Sequence, residues 1–558
     1  MDELPRKMAA GGMLNYLSKE MTMMKKFDLD LRFLWIVVIT WFCLLQVTIV
    51  MSAPEKAEVQ SKLLGEAGML DASNRSVTSH TFKAGEAKFD YTATAASITT
   101  YDKQSKPIGQ IFYIAYKVER QGGRPRPLTF VFNGGPGAAS AYLHLGALGP
   151  QRVVFNADGT VPPMPARIVD NSKSWLVFTD LVFVDPVGTG YSHEVKHGKN
   201  SQKNDKKEQK SGHSGDVPSR SKVWGVKEDT ASLSRFIRAY LTEENRWLSP
   251  IYLVGESYGG FRVARLSRQL QSDFGIAPSG LILISPVLDF SFIWDNERSL
   301  WPWVSLLPSY AAIAAIHKRS NQTNYQANDP RSSLAEVERA ALSNYLGGLA
   351  AGTLKQDWLD QTSRLIGLEK DTLLRGVGRV PPARFAKALL ADQHRVLSLY
   401  DGSIALIDPE PAEPLLASRD FYLDRLNAPM TAAFNSYVRN RLNFKTSIPF
   451  VLLNEEVYES WNWRSGIRGQ QGFVEAVSDL KQAMNLNPDM QVQIVHGIFD
   501  LVTPYYASEI LIKQMALDPL IHNNIQLKVY HGGHMPYLHQ GALDAMFEDV
   551  VRFYKLAP

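Results

Sequence analysis

The stretch IYLVGESYGGFRVARLSRQL (251–270) decides the fold. Residues 251–254 form a short, uninterrupted apolar run, the pattern of a strand buried on both faces. Over 261–271 the apolar residues recur at helical spacing. Gly255-Glu256-Ser257-Tyr258-Gly259 joins the two and fits G-x-S-x-G at a strand-to-helix turn. A serine there stands clear of the backbone, and the flanking glycines let the chain turn without Cβ clashes. The helix N-terminus aims backbone N–H groups at a developing oxyanion. Ser257 is therefore the candidate nucleophile, with the Tyr258 N–H as a candidate oxyanion donor. The plain alternative is a strand–turn–helix link that carries no chemistry.

The same signature repeats outward from this stretch. LTFVF (128–132) runs into Asn133, LVFVD (181–185) into Pro186, and LILISPV occupies 281–287. Amphipathic stretches such as 227–241 lie between them. Apolar strands alternating with helices predict an α/β fold with a mainly parallel sheet. Before it, residues 81–118 alternate and are rich in β-branched and aromatic residues, which reads as strand. After Asp289 the alternation stops. Residues 301–440 read as helical, with Ser333 and Glu336 spaced as a capping box and a further helix over 382–392. Strands return at IPFVLLN (448–454), VQIVHG (492–497) and IQLKVYHG (525–532). The expected organisation is a first core part over 81–300, a helical cap over 301–440 and a second core part over 441–558. Trp301, Trp303, Trp461 and Trp463 are expected to pack in the core rather than line the cleft.

A nucleophilic serine needs a base, and the base needs an orienting acid. On this scaffold they follow the serine in the order acid, then histidine, in loops after later strands. Asp500 follows VQIVHGIF and His534 follows IQLKVYHGG. His531 lies at a strand end and His496 within a strand, so both read as structural. His539 reads as a surface residue. Asp289 comes too early, and Asp185 precedes the serine. Asn133-Gly134-Gly135-Pro136-Gly137 packs three glycines into five residues, which lets backbone approach a ligand closely and suits the second half of an oxyanion hole.

Composition narrows the partners. The 558 residues carry 60 Lys and Arg against 56 Asp and Glu, a net +4, with 45% apolar and 21% charged residues. That excludes a disordered chain, a collagen and a polytopic membrane protein, and it is too small an excess to indicate nucleic acid. Cys43 is the one cysteine, so no intrachain disulfide or Cys-based zinc site holds the fold. FLWIVVITWFCLLQVTIVM (33–51) follows Lys25, Lys26 and Arg32 and precedes Ser52 and Ala53. Residues 1–53 read as an export signal cleaved near Ser52 or Ala53, with an uncleaved anchor as the alternative because the run exceeds the usual ~7–15 residues. Met21, Met23 and Met24 are alternative starts. Residues 54–80 read as a polar leader. The expected location is periplasmic or secreted, with membrane contact only through an uncleaved 33–51. The segment 193–222 carries eight basic and four acidic residues and almost nothing apolar, and reads as a mobile basic insertion. Without 1–53 and without that insertion the net charge is −1, so the positive balance is not a property of the core.

FNGGPGAAS (132–140), FVDPVGTGYS (183–192), VGESYGG (254–260), HGIFDLVTPY (496–505) and GGHMPY (532–537) occur in this order. Together they resemble the serine carboxypeptidase family of the α/β-hydrolases, over roughly 100–558, as a bacterial-type member. The resemblance implies Ser257, Asp500 and His534 as catalytic triad and the N–H groups of Gly135 and Tyr258 as oxyanion hole. It also implies Asn133 and Glu256 as a grip on the substrate's terminal carboxylate, beside the close backbone of Gly134, with Met535 lining the leaving-group pocket. It requires no metal or cofactor. The expected function is cleavage of C-terminal peptide bonds through an acyl-enzyme. Two positions depart from the family. Ala138 stands where the eukaryotic pattern has a cysteine, in keeping with a chain without disulfides. Ala147 stands fourteen residues after Asn133, where carboxypeptidases of the family carry a second glutamate that shares a proton with the one before the serine. An esterase, amidase or acyltransferase on the same scaffold is the alternative, and a non-catalytic binding protein the remote one. Asn74-Arg75-Ser76 and Asn321-Gln322-Thr323 match glycosylation acceptors, a match that has no meaning in a bacterium.

Overall fold

Runs of five wholly buried residues build the centre of the molecule, as the apolar patterning predicts. The computed structural model describes residues 75–556, apart from 85–86, 120–124, 196–222, 295–297, 321–324, 354, 417–419 and 466–472. The run 33–51, most of the basic insertion and both glycosylation acceptor asparagines therefore lie outside the described residues. No described helix is long and apolar enough to cross a membrane.

The main strands are β1 (Ser76–Ala84), β2 (Ala87–Tyr101), β3 (Pro107–Val118), β4 (Leu128–Phe132), β5 (Asp180–Val184), β6 (Ile251–Glu256), β7 (Gly280–Ile284), β8 (Gln491–Gly497) and β9 (Ile525–Tyr530). They lie in one sheet in the order β1-β2-β3-β5-β4-β6-β7-β8-β9. Pairing is antiparallel from β1 to β5 and parallel from β5 to β9. Every residue of β4, β5, β6 and β7 is buried, which is why these strands read as continuous apolar runs rather than alternating ones. The chain passes from β4 to β5 on one side and then to β6 on the other. This reversal is the switch point where open α/β sheets bind ligands at the strands' carboxyl ends.

Helix α1 (Val226–Glu243) precedes β6 and α2 (Tyr258–Phe274) follows it. Between β7 and β8 the chain is largely helical. It includes α3 (Trp301–Ile316), buried along nearly its whole length, and α4 (Phe421–Ser436), capped by the Asp420 carboxylate. Helices α5 (Val477–Leu486) and α6 (Tyr505–Gln514) flank β8, and α7 (Gln540–Leu556) ends the described chain. Trp303 and Trp461 are buried in the core, and Trp301 and Trp463 pack against it.

Several local expectations fail for identifiable reasons. β1 begins at Ser76, inside the expected polar leader, because its alternating residues pair along β2 from Ala95 to Ala87. His193 and Glu194, at the start of the expected mobile insertion, pair with Gln110 and Gly109 of β3. Residues 395–397 and 405–407 form a small hairpin within the expected all-helical stretch. IPFVLLN does not join the sheet: Val451 and Leu453 make single bridges to Gly190 and Ala138, in loops beyond the strand ends. The Ser333 capping box does not form. Ser333 falls in a 3₁₀ turn, and the following helix starts at Ala335 without a side-chain cap.

Candidate active site

Strand register brings the candidate groups to one edge of the sheet. Phe132 of β4 pairs with Gly255 of β6, and Glu256 pairs with Ile284 of β7. Ile284 pairs with Val495 of β8, and Gly497 with Tyr530 of β9. The loops carrying Asn133, Ser257, Asp500 and His534 thus leave adjacent strands side by side.

Ser257 sits at φ 59°, ψ −123°, conformational space that costs a non-glycine residue about 1–3 kcal/mol. The turn is held from both directions. The Ser257 N–H donates to Ile284 O at 2.9 Å, and the Gly260 N–H donates to Ser257 O at 2.9 Å. A Cβ on Gly255 would stand 2.0 Å from Gly259 O, so only glycine fits before the serine. The glycine loop after β4 runs against this elbow: a Cβ on Gly134 would stand 2.7 Å from Tyr258 N and 2.8 Å from Ser257 Cβ. Ser257 is partly exposed and Gly135 is exposed, so solvent reaches this junction.

Asp500 and His534 are buried, and His534 Nδ1 lies 2.8 Å from Asp500 Oδ2. Asp500 Oδ1 accepts from the N–H groups of Val502 at 2.8 Å and Thr503 at 2.9 Å. Thr503 Oγ1 lies 2.7 Å from Asp500 Oδ2, 3.0 Å from His534 Nδ1 and 2.9 Å from Ser285 O, just past β7. These contacts turn Nδ1 toward the acid and leave Nε2 as the available nitrogen. Burial pushes His534 down, but the charge and hydrogen bond of Asp500 prevail and hold it above its usual value. Among the described residues Ser257 Oγ makes no hydrogen bond to His534, so the serine is the member of the set that the geometry leaves apart.

Glu256 is buried beside the serine. Burial pushes its carboxyl up to about 7, against the charge of His534 and hydrogen bonds from Tyr537 and Asn133. Asn133 Oδ1 accepts the Leu143 N–H at 3.0 Å, which directs its amide N–H₂ toward Glu256. The buried Arg262 anchors the same loop. It donates from Nη1 to Asn133 O and from Nε to Asp229 Oδ2, both at 2.6 Å. Met535, next to His534, is buried. Ala147 is fully buried in the helical turn His144–Leu148 and offers no carboxyl.

The competing residues have other partners. His496 is buried, bonded to Ser508 Oγ at 2.8 Å, and burial pushes it down to about 4. His531 Nδ1 contacts Tyr325 OH at 2.7 Å. His539 is not a surface residue: it is 5% exposed, with Nε2 2.7 Å from Asp401 Oδ2. Asp289 caps a 3₁₀ turn by accepting from Ser291 N. Asp185 is buried, pushed up to about 7 by burial and accepting from Ser140 N at 2.8 Å. Among the described residues no group of three or more His, Cys, Asp or Glu is placed to hold a metal ion.

Two residues in this geometry escape a reading from the sequence alone. Thr503 stands three after Asp500, one residue beyond the Asx-turn bond that Val502 N–H makes, and its hydroxyl contact with His534 joins groups 31 residues apart. Tyr537 lies within GGHMPY, but nothing local reveals that its phenol reaches a carboxyl 281 residues earlier in the chain.

Residues 92–287 match the family model described as serine carboxypeptidase. A curated relative, the pheromone-processing carboxypeptidase KEX1 of Cryptococcus gattii, is 37% identical over 90 residues, 16% of this chain and 13% of the relative. Serine carboxypeptidase-like 36 of Arabidopsis thaliana is 28% identical over 169 residues, 30% of this chain and 29% of the relative. The matches thus span less than a third of the length of these relatives. Solved structures of similar shape include VinJ, at 11% identity over 83% of this chain and 99% of that one, with a TM-score of 0.34. A proline iminopeptidase of Mycobacterium smegmatis has 13% identity over 86% of this chain and 98% of that one, with a TM-score of 0.31. With its strand–elbow–helix unit, glycine loop and strand order, the chain has an α/β-hydrolase fold, and its residues 92–287 are similar to the serine carboxypeptidase family.

Proposed function

We propose that the chain is a serine-type carboxypeptidase. The observation that carries this reading is a strained serine elbow beside a glycine loop, with a buried His–Asp pair and a buried carboxyl, Glu256, at the same sheet edge. Ser257 attacks the carbonyl of the last peptide bond while His534 Nε2 takes its proton. Asp500 holds the imidazole tautomer and stabilises its charged form. The Ser257–His534 bond, open in the free chain, tightens when substrate fills the cleft. The N–H groups of Gly135 and Tyr258 receive the oxyanion. His534 then protonates the departing amine, whose surroundings include Met535, and water clears the acyl-enzyme.

Neutral Glu256 and the Asn133 amide are suited to a terminal carboxylate, because an acid and an amide donate to an anion where an ionised glutamate repels it. Gly134, without a Cβ, lets the loop that carries Asn133 lie directly against the serine elbow. A second reading, an esterase, amidase or acyltransferase, is favoured by Ala147, since only one acid reads the substrate's end. The substrates on the first reading are peptides. Residues 1–53 direct export, and 54–558 act outside the cytoplasm.

The test offers the chain two blocked dipeptides that differ only in a free or an amidated C-terminus. Faster turnover of the free acid is expected. Equal or reversed turnover points to the second reading. No turnover of either, with no labelling by a fluorophosphonate, points to a binding protein.

A further inference from the structure

We infer that Tyr537 is the positioning residue that holds Glu256 for reading a terminal carboxylate, filling the role of the carboxyl that Ala147 lacks. The inference rests on the carboxypeptidase reading and extends it to a residue and a proton inventory. Tyr537 is 1% exposed, and its phenol O–H donates to Glu256 Oε2 at 2.5 Å. Its ring lies against the turn that carries Ala147: a Cβ on Gly146 would stand 2.9 Å from Tyr537 Cε2. The turn that carries Ala147 therefore packs, at Gly146, against an aromatic ring whose hydroxyl reaches Glu256. The Asn133 amide hydrogen-bonds the same carboxyl. With Oε2 taken up as an acceptor of the phenol, the proton of neutral Glu256 belongs on Oε1, where it can be given to an incoming anion.

A phenol is chemically unlike a second carboxyl in this position. Two carboxyls share one proton and titrate as a pair. Tyr537 keeps its proton, since burial and the neighbouring Glu256 hold it well above its ordinary value. Glu256 therefore titrates as a single acid. The other groups facing it are His534, Asp500, Tyr142, Tyr400 and the neutral Asn133. Burial holds both tyrosines above their ordinary value, so they stay protonated. His534 serves every substrate alike, so its titration appears with an amidated substrate too.

The experiment compares the full chain with Tyr537→Phe, following kcat/KM against pH for the free-acid and amidated dipeptides and the rate of fluorophosphonate labelling. Losing the phenol withdraws a donor from ionised Glu256, which then keeps its proton to higher pH. The alkaline limb for the free acid is expected to move up by about one pH unit, mainly through KM, while the amide profile and the labelling rate stay in place. A free-acid limb that does not move, or that moves together with the amide limb, overturns the inference. Glu256→Gln gives a second route if the Phe variant does not fold. The free-acid alkaline limb is expected to vanish in it, and a limb that survives also overturns the inference. Wild type without any preference for the free acid would instead sink the carboxypeptidase reading itself, before any variant is made.

Discussion

Two buried histidine–aspartate pairs have histidines five residues apart in the chain, and only one of the pairs is arranged as a base. His534 and Asp500 meet at 2.8 Å, His539 and Asp401 at 2.7 Å. Both imidazoles are pushed down by burial and pulled back above their usual value by the partner carboxylate. The difference lies in which nitrogen is engaged. His534 gives Nδ1 to its acid and keeps Nε2 available at the sheet edge next to the serine elbow. His539 gives Nε2 to Asp401 and packs against Gly159, where a Cβ would stand 2.8 Å from His539 Cδ2. It ties the segment 398–404 to the loop of His534, whose N–H donates to Tyr400 O at 2.5 Å. Burial, pairing and a raised pKa are thus shared by a candidate base and by a strut. Tautomer and location separate them.

The strongest way to break this comparison is to remove the proposed nucleophile. Ser257→Ala is expected to abolish fluorophosphonate labelling and to lower turnover by about 10⁴-fold or more. Labelling that persists would place the nucleophile elsewhere and deprive His534 of its distinction. Next come the two acids. Asp500→Asn is expected to lower kcat by roughly 10⁴-fold with the fold intact, because the asparagine favours the wrong tautomer. Asp401→Asn is expected to leave kcat within about tenfold and to lower stability by roughly 1–3 kcal/mol, read from denaturant melts.

The stability effect has a definite sign with pH. A histidine whose folded value is raised contributes stability that is fully present below its unfolded value of about 6.5 and is lost as pH rises through the folded value. The gap between wild type and Asp401→Asn is therefore expected to be larger at about pH 6 than at about pH 9. A gap that widens with pH would mean that His539 is held neutral. The smallest effect sharpens the picture of the His534–Asp500 pair. Thr503→Val removes the hydroxyl that lies between Asp500, His534 and Ser285 O, and about a tenfold loss in kcat/KM is expected, the size of one hydrogen bond. No loss would show that the backbone N–H groups of Val502 and Thr503 orient Asp500 by themselves.

What the sequence makes legible follows from how local the information is. The run 251–270 carries its strand, turn and helix in adjacent residues, and the elbow forms where it reads. Asp500 and His534 are legible because each follows a strand by a few residues. The His539–Asp401 pair is not, because its two members belong to different parts of the chain and meet only after folding. Tyr537 is hidden for the same reason. IPFVLLN misleads because an apolar run suggests a buried strand, whereas Val451 and Leu453 are only half-buried and make single bridges to loops rather than taking a place in the sheet. Ser333 misleads because a capping box needs the helix to begin at the right residue, and here the 3₁₀ turn comes first.

The measurement that bears most directly on the whole account is the ratio of kcat/KM for the free-acid and amidated dipeptides at about pH 6 and about pH 8.5. Glu256 near 7 and a base at His534 together lead to a ratio of at least about tenfold at the lower pH, falling toward one at the higher pH as Glu256 ionises. A ratio near one at both, with Ser257 still labelled by fluorophosphonate, would contradict carboxylate recognition and leave a serine hydrolase of another specificity.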